Sequence, residues 1–192
     1  MNNKKSKVGS IQMIIGPMYA GKSTELLRLI NRFTFLKNKV LAINHKINNR
    51  YGSNNISTHN KEIFNDCICL ENLEEVYCDK YSSKFIESDI IIVEEVQFFK
   101  DAFVHIKQFA EEYNKRVICA GLTSDFERKP FGDVLKLITI ADDVTMLKAL
   151  CAKCGDGTLA QFTKRCTKDK EKEIVGSYGL YEAVCRYHYL NN

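Results

Sequence analysis

"GPMYAGKST", residues 16–24, sets Gly16, then four residues, then Gly21-Lys22-Ser23. Glycines so placed let a backbone wrap closely around phosphate groups, with the following amides aimed inward at their oxygens. In that arrangement Lys22 reaches the β- and γ-phosphates of a nucleotide and the Ser23 hydroxyl ligates Mg²⁺. The pattern has this meaning only where it joins a strand to a helix. "SIQMII" (Ser10 to Ile15) is a short apolar run suited to a buried parallel strand, and Leu26, Leu27, Ile30 and Phe33 then recur at helical spacing. Phosphates held here would meet the helix N-terminus, where the dipole and free amides favour anions. Gly16, Pro17, Met18, Tyr19, Ala20, Gly21, Lys22, Ser23 and Thr24 together form a candidate ATP-phosphate cradle.

Outward from this stretch, 192 residues suffice for one α/β domain and a small appendage. With 45% hydrophobic residues and two prolines, the chain reads as globular. It has no run of about 18 apolar residues and no signal-peptide core, so neither a membrane span nor secretion is expected and the location reads as cytoplasmic. "MNNKKSKVGS" (1–10) is polar and basic and reads as a disordered tail. A net charge of +4 and a pI near 8.5 suit anionic nucleotides. They fall short of a nucleic-acid footprint, which takes a pI above about 9 with clustered charge. The eight cysteines read as reduced thiols, and Cys67, Cys69, Cys78 and Cys119, in or beside apolar runs, read as small core residues.

Strand and helix alternate along the chain. Strands are expected at "KVLAINH" (39–45), "CICL" (67–70), the start of "DIIIVEEVQFF" (89–99), "RVICAGL" (116–122) and "DVTMLKAL" (143–150), the last running into two cysteines. Helices are expected at "ENLEEVYCDKY" (71–81), "AFVHIKQFAEEYN" (102–114) and residues 134–141, with polar loops at 48–60 and 123–133. This order predicts an α/β fold: a parallel sheet with right-handed crossovers, flanked by helices, of the P-loop NTPase type. A boundary is expected near Ala149, dividing residues 11–149 from 150–192.

"DIIIVEEVQFF" supplies a second chemical signal. A phosphate-loop enzyme needs an acid at the tip of a neighbouring strand, turned toward Mg²⁺ directly or through water. Glu94 stands at that place. Glu95 projects differently and suits a base that deprotonates a hydroxyl or a water. Taken alone, the pair fits a surface-facing strand end equally well; beside a phosphate loop the catalytic reading is favoured.

"CAKC" (Cys151, Cys154) and "CRYH" (Cys185, His188) are two C-x₂-ligand pairs with 30 residues between them. Together they make a Cys₃His set of the kind that holds structural zinc in closed tetrahedral coordination. Cys166 lies outside both pairs. "TKRCTKDKEKE" (163–173) reads as an exposed, charged hairpin or loop, and "IVGSYGLYEAV" (174–184), with no clear period, as an irregular loop.

"GPMYAGKSTELL", "VEEVQFF", "FERKPFGD", "CAKC", "FTKR" and "YEAVCRYH" occur in the order found in type II thymidine kinases, and the chain resembles that family from about Ile11 to His188. The resemblance implies transfer of the γ-phosphate of ATP to the 5′-hydroxyl of thymidine, with Mg²⁺ and a structural zinc. Glu95 matches the family's general base, working with Lys22. Phe98 matches an aromatic residue on the thymine side, and Met18, Leu122, Phe126 and Phe131 match further pocket positions. Taken singly, each phenylalanine reads as plain core. Residues 174–184 match a "lasso" that closes over thymidine with Ile174, Val175 and Gly176 in it, while Tyr181 and Thr163 match substrate-contacting residues. Arg128 and Lys129 stand in a loop beside the site, as phosphate contacts or as two solvated charges. The resemblance also implies a homotetramer or homodimer and feedback inhibition by thymidine triphosphate.

Three departures from the family pattern stand out. Glu94 occupies a position usually held by Asp, and His188 one often held by Cys. "NNRY" (Asn48 to Tyr51) keeps Arg50 and Tyr51 of a "D-x-R-Y" pattern but lacks its carboxylate, so that role does not pass to Asn48. Two other readings remain open on the residues: a phosphate-loop ATPase or GTPase in which Glu95 activates water, and a zinc-bearing nucleic-acid-binding module.

Overall fold

A computed structural model of the chain describes residues 8–47, 56–57, 63–64, 66–166 and 179–191. The expectations for Asn48, Arg50, Tyr51, Ile174, Val175, Gly176 and most of the lasso lie outside the described residues. In chain order the elements are β1 (Ser10–Gly16), α1 (Lys22–Phe35), β2 (Val40–His45), β3 (Ile56–Ser57), β4 (Ile63–Phe64), β5 (Cys67–Leu70), α2 (Ser82–Glu87), β6 (Ile90–Val93), α3 (Ala102–Glu111), β7 (Arg116–Leu122) and α4 (Val134–Ile138). They continue with β8 (Asp143–Met146), β9 (Ala149–Leu150), β10 (Leu159–Ala160), β11 (Phe162–Arg165), β12 (Tyr181–Val184) and α5 (Arg186–Leu190).

Six strands form one sheet in the order β5-β2-β6-β7-β1-β8, and every pairing in it is parallel. Apart from the edge strand β8, which is largely exposed, the strands read as continuous apolar runs because both faces of the sheet are covered there. Alternate side chains go to opposite layers. Ile91 and Val93 of β6 face one cluster with α3 and α4, whereas Ile90 and Ile92 face the other, beneath α1. α1 buries Leu26, Leu27, Leu29, Ile30 and Phe33 in that second layer, each contributing about 1.5–3 kcal/mol of transfer free energy. Register places Ile15 beside Gly121 and Gly16 beside Leu122, while Val93 lies beside Cys119. The carboxyl ends of β1, β6 and β7 therefore open on one crevice, the place where ligands sit in open α/β sheets.

Four expectations need correcting. Residues 71–81 are not one α-helix. Leu73–Tyr77 form a 3₁₀ turn with Leu73 and Val76 fully buried, three residues apart, and that spacing suits three residues per turn. Its start is fixed by Glu75 Oε1, which accepts from the backbone N–H groups of Glu71 and Asn72 at 2.7 and 2.9 Å. Cys78 caps that turn in extended conformation and is exposed rather than core, and Cys69 is only half-buried. The run 143–150 is broken: β8 joins the main sheet, whereas β9 pairs antiparallel with β10. Finally, the end of the expected irregular loop is a strand, β12, which pairs antiparallel with β11 of the charged segment as the hairpin alternative there allows, with Arg165 opposite Tyr181 and Thr163 opposite Ala183. Tyr181, Ala183 and Val184 are buried there, which is what fixes β12 despite its weak pattern. α2 was not expected at all, because Phe85 is its one buried residue and gives no periodicity.

Candidate active site

The two glycines of the phosphate loop have different reasons to be there. A Cβ at Gly16 would lie 2.6 Å from the Leu147 carbonyl oxygen, so the strand end closes tightly against the chain after β8. Gly21 has open space around it but a φ of 82°, the left-handed conformation glycine adopts without penalty, and it forms the N-cap of α1. Tyr19, with φ 65°, takes the same region with a side chain attached. Lys22 donates from Nζ to the Pro17 carbonyl at 2.8 Å, folding its ammonium across the loop.

Residues Met18 to Thr24 line a cavity of about 250 Å³ together with Glu94, Glu95 and Ala120. Ser23 donates its hydroxyl hydrogen bond to Glu94 Oε1, and Glu94 is 3% exposed. A buried carboxylate and a hydroxyl in direct contact are two hard oxygen donors, the set Mg²⁺ takes beside nucleotide phosphates. The residues fit that ion. Glu95 is half-buried and left-handed, with φ 53°, where β6 ends; this turns its side chain away from the strand alternation and toward the same cavity. Gln97 donates from Nε2 to Glu95 Oε2 at 2.6 Å.

The pocket residues expected on the nucleoside side fall into groups. Phe98 and Phe131 meet edge-to-face, with ring centroids 5.3 Å apart, on a second cavity of about 430 Å³ also lined by His45, Gln97 and Asp125. Phe126 and Tyr181 lie 6.4 Å apart, and Arg165 joins them: its guanidinium stacks 4.0 Å over Phe126 and donates to the Tyr181 hydroxyl at 2.5 Å. Thr163 is buried and accepts at Oγ1 from the Met18 N–H at 3.0 Å, tying β11 to the phosphate loop. Leu122 donates its N–H to Gln97 Oε1 at 3.1 Å. The two cavities divide part of the set between them, with Met18 on the first and Phe98 and Phe131 on the second. Arg128 packs 4.4 Å over the Tyr189 ring, and Lys129 pairs with Glu127 at 2.7 Å.

Gln97 and Tyr189 were not singled out by the sequence. The signal for Gln97 was available: an amide inside the apolar run Val96 to Phe99 must find partners if it is buried. Tyr189, whose hydroxyl donates to the Phe126 carbonyl at 2.7 Å, had none.

The cysteine pairs converge. Ligand atoms of Cys151, Cys154, Cys185 and His188 all lie within 4.8 Å of one another. Cys154 and Cys185 sulfurs are 3.8 Å apart, and His188 Nδ1 is 3.3, 3.4 and 3.6 Å from the sulfurs of Cys154, Cys185 and Cys151. Zinc–sulfur bonds of about 2.3 Å at the tetrahedral angle set sulfurs about 3.8 Å apart, so the cluster fits zinc with His188 binding through Nδ1. Burial pushes the Cys151 thiol up, but backbone N–H groups of Cys185, Lys153 and Cys154 outweigh it and hold the thiol below its ordinary range, toward the thiolate that ligates metal. Cys166 is exposed and outside the group.

The family model for thymidine kinase matches residues 9–189. The thymidine kinase of vaccinia virus (strain Western Reserve) is 39% identical over 185 residues, 96% of this chain and 98% of that protein. The thymidine kinase of sheeppox virus (strain KS-1) is 39% identical over 178 residues, 93% of this chain and 95% of that protein. Among solved structures, flagellar accessory protein FlaH from Methanocaldococcus jannaschii gives a TM-score of 0.49 at 18% identity, covering 81% of this chain and 80% of that one, too distant to bear on function.

Proposed function

The chain belongs to the thymidine kinase family, and from that premise we propose that it transfers the γ-phosphate of ATP to the 5′-hydroxyl of thymidine, giving thymidine monophosphate and ADP. The observation that carries the chemistry is one cavity lined by the phosphate loop, by the Ser23–Glu94 pair and by a second carboxylate, Glu95.

In this reading the loop amides and Lys22 bind the phosphates and gather negative charge as it spreads over the transferring group. Ser23 and Glu94 would hold Mg²⁺, which would supply positive charge to the nucleotide phosphates. Glu95 takes the proton from the 5′-hydroxyl as that oxygen bonds to the γ-phosphorus and the bond to the β–γ bridging oxygen breaks. Proton removal of this kind is worth about 10² to 10⁴-fold in rate. Phe98, Leu122, Phe126, Phe131, Met18, Thr163 and Tyr181 shape the nucleoside pocket, and Ile174, Val175 and Gly176 add further thymidine contacts. Residues 11–149 act as the kinase portion and 150–192 as the zinc-held lid. Among the described residues no helix is long and apolar enough to cross a membrane, and we place the activity in the cytoplasm, in a homo-oligomer open to inhibition by thymidine triphosphate.

A titration of nucleosides against ATP consumption tests the reading. The expected result is ATP turnover that depends on thymidine and stops without it. Turnover of ATP alone would point to a hydrolase, and no turnover with nucleic-acid binding would point to a binding module.

A further inference from the structure

We propose that Gln97 is a positioning residue for the phosphoryl-transfer step, holding the Glu95 carboxylate and the end of β7 in fixed relation. The proposal rests on the reading of Glu95 as the general base.

Gln97 lies in a 3₁₀ turn, Val96–Phe98, directly after the two carboxylates, and is 3% exposed. Both ends of its amide are used. Nε2 donates to Glu95 Oε2 at 2.6 Å, and Oε1 accepts from the Leu122 N–H at 3.1 Å. The two partners are of opposite kind, a carboxylate and an N–H group. Rotating the amide by half a turn would set oxygen against oxygen and N–H against N–H, so its orientation is fixed by the partners themselves. The contact to Glu95 is a charge-assisted hydrogen bond, stronger than a neutral one.

Two glycines clear the space around this side chain and its backbone. A Cβ at Gly121 would lie 3.0 Å from Gln97 Oε1 and 2.8 Å from Val96 Cγ1. A Cβ at Gly132 would lie 2.2 Å from the Gln97 carbonyl oxygen, in a residue whose φ is also +55°. Two separate segments, the end of β7 and the loop before α4, thus omit side chains where Gln97 packs.

The need for such a tether follows from the backbone at Glu95. Its φ of 53° takes it out of β6, so no strand ladder aims its side chain. A carboxylate on an irregular turn samples several rotamers unless something holds it. A misplacement of 1 Å in a reacting geometry can cost about 10²-fold in rate. Gln97 holds one carboxylate oxygen from a buried position while Glu95 lines the phosphate-loop cavity. The same amide pins Leu122, which resembles a nucleoside-pocket residue, so base and pocket wall share one anchor.

Gln97→Glu keeps the size and the acceptor toward Leu122 but removes the donor toward Glu95. Gln97→Met keeps the size, adds no charge and removes both contacts. Each is made alone and together with Glu95→Gln, and kcat and both KM values are measured on folded protein. The expected result is a loss of about 10 to 100-fold in kcat for each single variant. The KM for ATP should hardly move, since the phosphate loop is untouched. In the Glu95→Gln background neither change should lower kcat further, because the group being positioned has gone. In the double variant Glu95→Gln/Gln97→Glu the amide and carboxylate trade places, so the hydrogen bond and the melting temperature should recover while kcat stays at the Glu95→Gln level. Should Gln97→Glu fold poorly through carboxylate repulsion, Gln97→Met gives the same reading. Wild-type kcat in folded Gln97→Glu or Gln97→Met, or a loss of equal size in the Glu95→Gln background, would overturn the positioning role. Wild-type kcat in Glu95→Gln itself would instead overturn the base assignment.

Discussion

In the main sheet, Met13, Ile14, Ile91, Ile92, Val117 and Ile118 are each fully buried, shared between two layers beneath helices. In the C-terminal region the buried cluster is Ala149, Cys151, Ala160, Ala183 and Val184, with half-buried Tyr19, Ala20, Cys154, Phe162, Cys185 and Tyr189 against it. The first region is held by burial of large side chains. The second offers mostly alanines, which bury little area, and its strands come in pairs, marginal in water without further support. A metal held by the four clustered donor atoms would stand in for the missing core, since metal binding in small zinc sites is itself folding free energy. The two regions should therefore fail separately, the sheet by mutation of its core and the knot by loss of metal, although both supply the site.

The largest expected effect lies wholly in the first region. Lys22→Ala removes the charge at the phosphate loop and should cost at least about 10²–10³-fold in kcat, while leaving zinc content and melting temperature close to wild type. Near-normal turnover in that variant would remove the phosphate loop from the mechanism. A simultaneous loss of zinc would show that the two regions are not independent.

Next come the carboxylates. Glu95→Gln keeps the shape and the contact distance to Gln97 but removes the proton acceptor, so kcat should fall about 10² to 10⁴-fold with a much smaller change in thymidine KM. Glu94→Asp keeps the charge opposite Ser23 on a shorter stem and should leave the enzyme active. If the Glu94 change proved the more damaging, the roles of the two residues would have to be exchanged.

The zinc knot then tests the other half of the comparison. Purified protein should contain about one zinc per chain. Replacing Cys151 and Cys154 together by Ser should remove it, releasing the support of β9 and β12 and of Tyr181 within β12. The thymidine KM should rise well beyond the KM for ATP, since Lys22 and Ser23 open α1 and Glu94 follows β6, away from the cysteine cluster. Elemental analysis showing active enzyme without metal would sink the zinc assignment, and equal losses of both affinities would detach the knot from the nucleoside pocket.

How far the sequence revealed each region follows the same division. The sheet was legible because fully covered strands write continuous apolar runs, and the phosphate loop because glycine and lysine spacing is set by phosphate geometry. The Cys₃His set was legible because the spacing of metal ligands is local within each pair. Elements that depend on only one or two buried residues were not: α2 rests on Phe85, and the turn at Leu73–Tyr77 on Leu73 and Val76. β12 was hidden because glycines precede it and its strand character comes from pairing with β11, a contact distant in sequence. At the site, Glu94 and Glu95 could be found as a pair, but which one turns into the left-handed region, and which glutamine holds it, are facts of three dimensions.

The smallest effect concerns the seam between the regions. Tyr189, next to His188 on α5, donates its hydroxyl to the Phe126 carbonyl at 2.7 Å, and Arg128 stacks on its ring at 4.4 Å. The helix that carries the candidate ligand His188 thus also holds the loop that carries Phe126, a residue proposed for the nucleoside pocket. Tyr189→Phe keeps the ring, and with it the contacts to Arg128 and to Phe162, whose centroid is 5.4 Å away. What is lost is one hydrogen bond, worth about 0.5–1.5 kcal/mol, or about two- to tenfold if all of it is felt at the pocket. That loss should appear in the thymidine KM, with ATP KM and zinc content unchanged. Cys166→Ser, on the exposed end of the hairpin and outside the ligand group, provides the matched control and should change none of the three. If Tyr189→Phe lowers zinc content as well, α5 is held to the main body through this contact, and the separation of the two regions breaks at that residue. If it changes nothing, Phe126 is kept in place by Arg165 of β11 and Tyr181 of β12, and the seam runs through the hairpin instead of the helix.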